Sequence, residues 1–244
     1  MTLPKERTEL YDDGIGFVEL VDHLGSDLSV VNSARVSFGK HKEDIDEKDK
    51  RLINYLIKHK HTSTLEHCSI TFRFKVPLFI SKQHMRHRTW SYNEISRRYT
   101  DFNIEFYEPK AFRKQSESNR QASVNKLINP SIKIDHPLMA SLVETEASEL
   151  VRKHHVNSLK LLDRLLESGV CREQARGVLP QNMYTEYYGT ANLNNILKFV
   201  DLRIHEGAQW EIQQVAIAVL GIAENLFPIT VGAYRELRSS LTDE

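Results

Sequence analysis

The chain has 244 residues, 40% hydrophobic and 27% charged, the composition of a globular domain with a sizeable core. Its 33 basic residues balance 33 acidic ones, so no net field draws it to nucleic acid or a membrane surface, and any anion binding must be local. The charged opening MTLPKERTELYDD is unlike a secretory leader, and no apolar run approaches the roughly 18 residues needed to cross a bilayer, which predicts a cytoplasmic protein.

In chain order, a turn at Asp13-Gly14-Ile15-Gly16 precedes a strand over Phe17 to Leu24, and a short helix follows Ser26-Asp27 through Val36. Asp44 to Lys60 reads as a surface helix, with Asp44–Lys48, Asp46–Lys50 and Glu47–Arg51 at ion-pair spacing and Leu52, Ile53, Leu56 and Ile57 as its apolar stripe. Cys68, Ile70, Phe72, Phe74 and Val76 alternate with polar residues, the period of a strand with one buried face. Pro77 ends that strand and suits the first turn of a helix from Leu78 to about Arg86. Glu108 to Pro137 holds three prolines and no sustained period, which predicts a loop-rich insertion at about 108–137 in an otherwise single domain spanning 1–244. A long amphipathic helix is expected over Leu138 to Glu167, closed by Ser168-Gly169. Beyond it come a helix near Arg172 to Val178, a strand over Asn182 to Thr190, and helices at about 192–202, 209–226 and 229–237. Helices outnumber strands and do not alternate with them regularly, so the class is α+β rather than doubly wound.

The chemistry concentrates in residues 81–100, SKQHMRHRTWSYNEISRRYT. Lys82, Arg86, Arg88, Arg97 and Arg98 face the single acid Glu94 there, and His84 and His87 could add charge. On a helix Gln83, Arg86 and His87 share one face. Arginine forks beside Ser91, Asn93 and Ser96 suit a phosphate or carboxylate receptor, and the competing reading is a solvated basic face that binds nothing.

Arg86-His87-Arg88, seven residues and then Ser96 resembles the RHR-x7-S signature of the flavin-dependent thymidylate synthases, and Ser91 to Tyr99 resembles the rest of that motif. Further blocks are similar: Gly16 to Asp22, Ala34 to Phe38, His61 to His67, Ala175-Arg176, Val178 to Pro180, Asp201 to Arg203 and Ala208 to Gln213. The resemblance implies an α+β fold, a central mixed or antiparallel sheet flanked by helices that holds FAD without a Rossmann motif. No G-x-G-x-x-G opening a helix after a strand occurs here. It also implies a homotetramer with active sites shared between subunits, and reductive methylation of dUMP to dTMP with 5,10-methylenetetrahydrofolate as carbon donor and NADPH as reductant.

By matching position, the resemblance assigns His61, Ser63, Arg86, His87, Arg88, Glu94, Asn192, Asn194 and Lys198 to the FAD site. It assigns Gln83, Arg86, Glu94, Ser96, Arg97, Arg98, Arg176 and Arg203 to dUMP. Asn194 stands where many relatives carry an arginine, Lys198 is another departure, and Ser63 replaces a common threonine. A lysine one turn from Asn194 can restore the missing charge. Arg203 also draws notice unaided: Ile196, Phe199 and Val200 precede it on one apolar stripe, so it should point inward, where a ligand or a buried acid must meet it. With the resemblance it becomes the expected catalytic residue, a fixed cation beside the pyrimidine.

No protein nucleophile is implied, and Cys68 and Cys171, without CxxC spacing, read as two buried thiols. None of the eleven histidines has metal-ligand spacing, so no metal is expected, and His154 and His155 read as partly exposed. The rival class is an RNA-binding module, because Trp90, Tyr92 and Tyr99 interleave with arginines as base-stacking platforms do. Another alternative keeps the flavin but changes the reaction, to an NADPH oxidase or an RNA uracil methyltransferase.

Overall fold

The first hairpin forms because Asp13 closes it. Its Oδ1 accepts from the N–H groups of Ile15 at 2.9 Å and Gly16 at 3.0 Å, while Gly14 takes a left-handed φ of +71°. In the computed structural model, which describes residues 6–96, 98–99, 103–120, 122–135 and 142–242, the elements follow in order. They begin with β1 (Arg7–Leu10), β2 (Gly16–Leu24), α1 (Asp27–Arg35), α2 (Glu47–Lys58), β3 (Ser69–Pro77), α3 (Leu78–His84) and β4 (Ser91–Glu94). Next come β5 (Phe112–Gln115), β6 (Ser123–Ile128), β7 (Ser131–Asp135), β8 (Leu142–Glu146), α4 (Ala147–Glu167) and α5 (Arg172–Ala175). The chain finishes with β9 (Tyr184–Asn192), α6 (Leu193–Arg203), α7 (Trp210–Leu226) and α8 (Pro228–Thr242). No helix among the described residues is long and apolar enough to cross a membrane.

Two compact units emerge. The first comprises Met1–Lys75, Lys82–Glu94 and Glu186–Glu244. Its sheet has the order β1-β2-β3-β9-β4, antiparallel at β1/β2, β2/β3 and β4/β9. β3 fulfils its alternation: Ile70, Phe72, Phe74 and Val76 are fully buried, each contributing about 1.5–3 kcal/mol. α7 packs on β1 and β2, α6 and α8 pack on α7, and α2 packs on α8. Gly189 on β9 admits Phe74, whose Cε2 would lie 2.9 Å from a Cβ built there.

α2 departs from its expected ion pairs. Asp49, fully buried, is gripped by Arg35 and Lys42, and Lys42 also reaches Asp46 at 2.7 Å. Burial opposes the charge, yet hydrogen bonds from Lys42, the Asp46 backbone and Arg35 hold the Asp49 carboxyl well below the usual carboxylate range. Of the expected residues, Glu47 pairs with Lys50 at i,i+3 instead.

The second unit comprises Val76–Ser81 and Ile95–Thr185. The segment expected to be loop-rich contains strands: β5 pairs with β6 and β7 with β8, both antiparallel. The helix expected from Leu138 starts at Ala147, because Leu142–Glu146 pairs with Asp135–Ser131 and the Ala147 N–H donates to the Pro130 carbonyl. Residues 138–141 lie outside the described residues. His155, expected to be partly exposed, is 2% exposed, stacks on Phe106 at 4.4 Å and bonds Glu108 at 2.7 Å through Nδ1.

Candidate active site

The RHR segment hangs on a turn rather than a longer helix. α3 stops at His84, and the His87 N–H donates to the His84 carbonyl at 2.9 Å. The Tyr92 hydroxyl, on β4, donates to the carbonyls of His84 at 2.9 Å and His87 at 3.2 Å, capping the exposed end of the helix. Because the helix ends early, Gln83, Arg86 and His87 do not share one helical face. Arg86 and Arg88 are exposed, while Gln83 and His87 are half-buried.

Beneath the turn lies an aromatic nest. His84 is fully buried against Phe74, Trp90 and Phe199, with ring centroids 4.8, 4.7 and 4.6 Å away, and its Nδ1 meets the Tyr187 hydroxyl at 2.8 Å. Burial, reinforced by His87 and Arg203, pushes its pKa well below the ordinary histidine value. His87 is likewise lowered, to about 4, by burial and then by Arg203. Neither histidine therefore adds positive charge at neutral pH, contrary to expectation. Trp90 is 5% exposed and Tyr92 half-buried, so two of the three aromatics proposed for base stacking are spent on packing; Tyr99 is exposed, with the Arg98 guanidinium 5.7 Å from its ring centre.

Arg203, the last residue of α6, meets this turn. Its Nε donates to His87 Nε2 at 3.0 Å and its Nη2 to the Gln83 carbonyl at 3.2 Å. Neither partner carries negative charge, and no carboxylate among the described residues pairs with Arg203, so the buried-acid alternative is not realised. Burial alone lowers its pKa, marking a cation held partly out of water without a counter-ion. The Gln83 side chain donates to Gln209 Oε1 at 2.6 Å. Glu94 is exposed on β4.

Other expected residues of the first unit gather at the start of α6. Asn192 caps that helix by accepting from the Asn195 N–H at 2.9 Å. Asn194 is 3% exposed and donates to Glu66 at 2.9 Å, so its amide is engaged by the protein. Asn194 and Lys198 line a cavity of about 470 Å³ whose walls include Leu56, Leu65 and Leu197 with Lys60. His61 and Ser63 are exposed, flanking Thr62 of that wall.

In the second unit Arg98 and Arg176 converge on Glu173. Arg98 pairs with its carboxylate at 2.7 Å and Arg176 donates to its carbonyl at 3.4 Å. Ser96 Oγ accepts from the Arg98 N–H at 3.3 Å. Arg97 lies outside the described residues. Sequence reasoning gave no site role to Glu173, Glu66 or Gln209; each is a polar neighbour of an expected residue in space, and Glu66 and Gln209 fall within similar blocks without being singled out. Cys68 is buried, and burial pushes its thiol up to about 11, whereas Cys171, expected to be buried, is exposed at the start of α5.

Comparison with known proteins places this geometry. The family model described as thymidylate synthase complementing protein matches residues 19–229. A flavin-dependent thymidylate synthase of Thermus thermophilus is 43% identical over 221 residues, covering 91% of this chain and 76% of the relative. One from Thermosipho melanesiensis is 42% identical over 219 residues, 90% of each chain. A solved UMP/dUMP methylase, PolB of Streptomyces cacaoi bound with 5-Br dUMP, superposes with a TM-score of 0.75 at 32% identity over 94% of this chain and 97% of its own.

Proposed function

We propose a reaction from one premise: this chain belongs to the flavin-dependent thymidylate synthase family. It is a methyltransferase that converts dUMP to dTMP, with FAD as cofactor. The cavity beside Asn194 and Lys198 fits such a group, since its leucine walls suit a flat apolar ring and Lys60 and Lys198 suit pyrophosphate oxygens. Asn192, His61, Ser63, His87, Arg86, Arg88 and Glu94 complete the proposed flavin contacts. Bound there, FAD supplies hydride-transfer chemistry, with NADPH as reductant and 5,10-methylenetetrahydrofolate as carbon donor.

Arg203 is the proposed catalytic residue, and the absence of a counter-ion among the described residues is the observation that carries the reading. A guanidinium fixed by a neutral imidazole and a carbonyl keeps its charge for a ligand. Set against the pyrimidine, it stabilises the negative charge that develops as N3 ionises and C5 becomes nucleophilic. Gln83, Arg86 and Glu94 orient the nucleotide, while Ser96, Arg97, Arg98 and Arg176 take its phosphate. The approach of Arg98 to the Glu173 carboxylate and of Arg176 to the neutral Glu173 carbonyl supports that role, because it gathers two guanidinium groups beside a single carboxylate.

No cysteine nucleophile takes part in this scheme. The Cys68 thiol, shielded from solvent and pushed up to about 11, is a poor thiolate, and among the described residues the Cys171 thiol donates only to the Gln174 side-chain oxygen, at 3.7 Å. Assembly as a homotetramer with shared sites is part of the same proposal and rests on the family relationship. The deciding assay is tritium release from 5-labelled dUMP in the presence of FAD, NADPH and methylenetetrahydrofolate. Release is expected; its absence from folded, flavin-loaded protein would overturn the proposal.

A further inference from the structure

Three side chains form a directional chain that ends at the proposed nucleotide site. Glu211, in the first turn of α7, is 4% exposed, and its Oε2 accepts from Gln209 Nε2 at 3.0 Å. Gln209, the residue preceding α7, accepts through Oε1 from Gln83 Nε2 at 2.6 Å. The Gln83 carbonyl in turn receives Arg203 Nη2 at 3.2 Å. The Tyr11 hydroxyl donates to the Glu211 backbone carbonyl at 3.2 Å, which anchors the first turn of α7.

The polarity of this chain follows from its buried end. A carboxylate only accepts, so Gln209 must turn its NH2 toward Glu211. An amide so fixed presents its oxygen at the opposite corner, and Gln83 must then offer Gln209 its own NH2. The Oε1 of Gln83 is thereby turned away from Gln209, on the residue whose backbone carbonyl holds Arg203.

We propose that Glu211, acting through Gln209, is a specificity-determining positioning residue: it makes Gln83 present a hydrogen-bond acceptor to the base of the bound nucleotide. An acceptor there selects a ring whose N3 carries hydrogen, as uracil does, over cytosine, whose N3 is a lone pair. A flipped Gln83 amide would lose that discrimination, because a site that pairs one edge of a base leaves buried groups unmatched by the other. This inference rests on the dUMP reading and concerns how the same site chooses its base.

The test uses the FAD-loaded enzyme and measures dUMP and dCMP binding calorimetrically, and kcat and KM for dUMP by tritium release, for the parent, Glu211→Gln, Gln83→Ala and the double variant. Glu211→Gln replaces the obligate acceptor by an amide that can turn either way. It is expected to cut the dUMP-over-dCMP preference about tenfold, with KM for dUMP rising more than kcat falls. In the Gln83→Ala background the same substitution should leave the preference nearly unchanged, since the relay has lost its reader. A preference untouched by Glu211→Gln, or moved equally in both backgrounds, would overturn the proposal while leaving the function intact. Should Glu211→Gln fail to fold, Gln209→Met breaks the relay with the carboxylate retained and is read in the same way. A folded parent that binds no dUMP would overturn the functional reading, and this inference with it.

Discussion

Arg203 Nε lies 3.0 Å from His87 Nε2. A guanidinium has no acceptor, so the imidazole nitrogen facing it must be unprotonated, and the neutral ring carries its hydrogen on Nδ1. The arginine is thus aimed by a group that cannot cancel its charge. Replacing Arg203 with Ala should lower tritium release from 5-labelled dUMP by about two to three orders of magnitude, the usual effect of removing a group aimed at developing charge. Arg203→Lys keeps the charge but not the paired donors, and should recover only a small part. Near-parental release from Arg203→Ala would remove it from the chemistry.

The depressed pKa of His87 makes a signed prediction about stability. Its folded value is about 4, against an unfolded value near 6.5, so in that window the unfolded chain binds more protons and stability falls as pH falls. After allowance for partial exposure, His87 should account for about 1 kcal/mol of the loss between pH 6.5 and 5. Gln can still accept from Arg203 but cannot titrate. Melting curves of His87→Gln should therefore decline less steeply than the parent's across this range, and parallel curves would contradict the assignment.

Lys198 lines the cavity beside Asn194, whose amide is already engaged by Glu66. Asn194 brings no charge, so Lys198, together with Lys60, supplies positive charge for a pyrophosphate here. Lys198→Ala should weaken FAD binding by roughly three- to tenfold in fluorescence titration, in the range expected for one partly exposed charge-assisted bond. Unchanged affinity would place the cofactor's phosphates elsewhere.

Gly189 tests the packing beneath the site. A methyl at this position would sit 2.9 Å from Phe74 Cε2 and 3.4 Å from Trp90 Cε3. Gly189→Ala should cost about 1–3 kcal/mol, seen as a drop of several degrees in Tm. A melting point equal to the parent's would mean that the aromatic nest yields more readily than a close-packed core does.

What could be read from the sequence tracks which signals are local. β3 announces itself because one face is buried and the other is not, and α6 and α7 because their apolar positions recur at helical spacing. β4 does not, since three of its four residues are exposed and only its pairing to β9 makes it a strand. β6 has five exposed residues in a row, and β7 alternates Ile132 and Ile134 with polar residues for only five positions and leaves both isoleucines exposed, so the hairpins at 112–128 and 131–146 gave only a weak alternation. Prolines 109, 130 and 137 misdirected the reading toward loop. At the site, the arginines were visible as a cluster, but the neutrality of His84 and His87 arises from burial, in part against Phe199, which is far from both in sequence and carries no motif.

α6 has Asn192 at its head and Arg203 as its last residue. Eleven helical residues span about 16 Å, and a hydrogen-bonded rod of that length moves as one piece. The cap on the cofactor side and the arginine on the nucleotide side therefore share one element, held down by Ile196, Phe199 and Val200. A substitution that loosens the whole helix should weaken flavin retention and nucleotide turnover together.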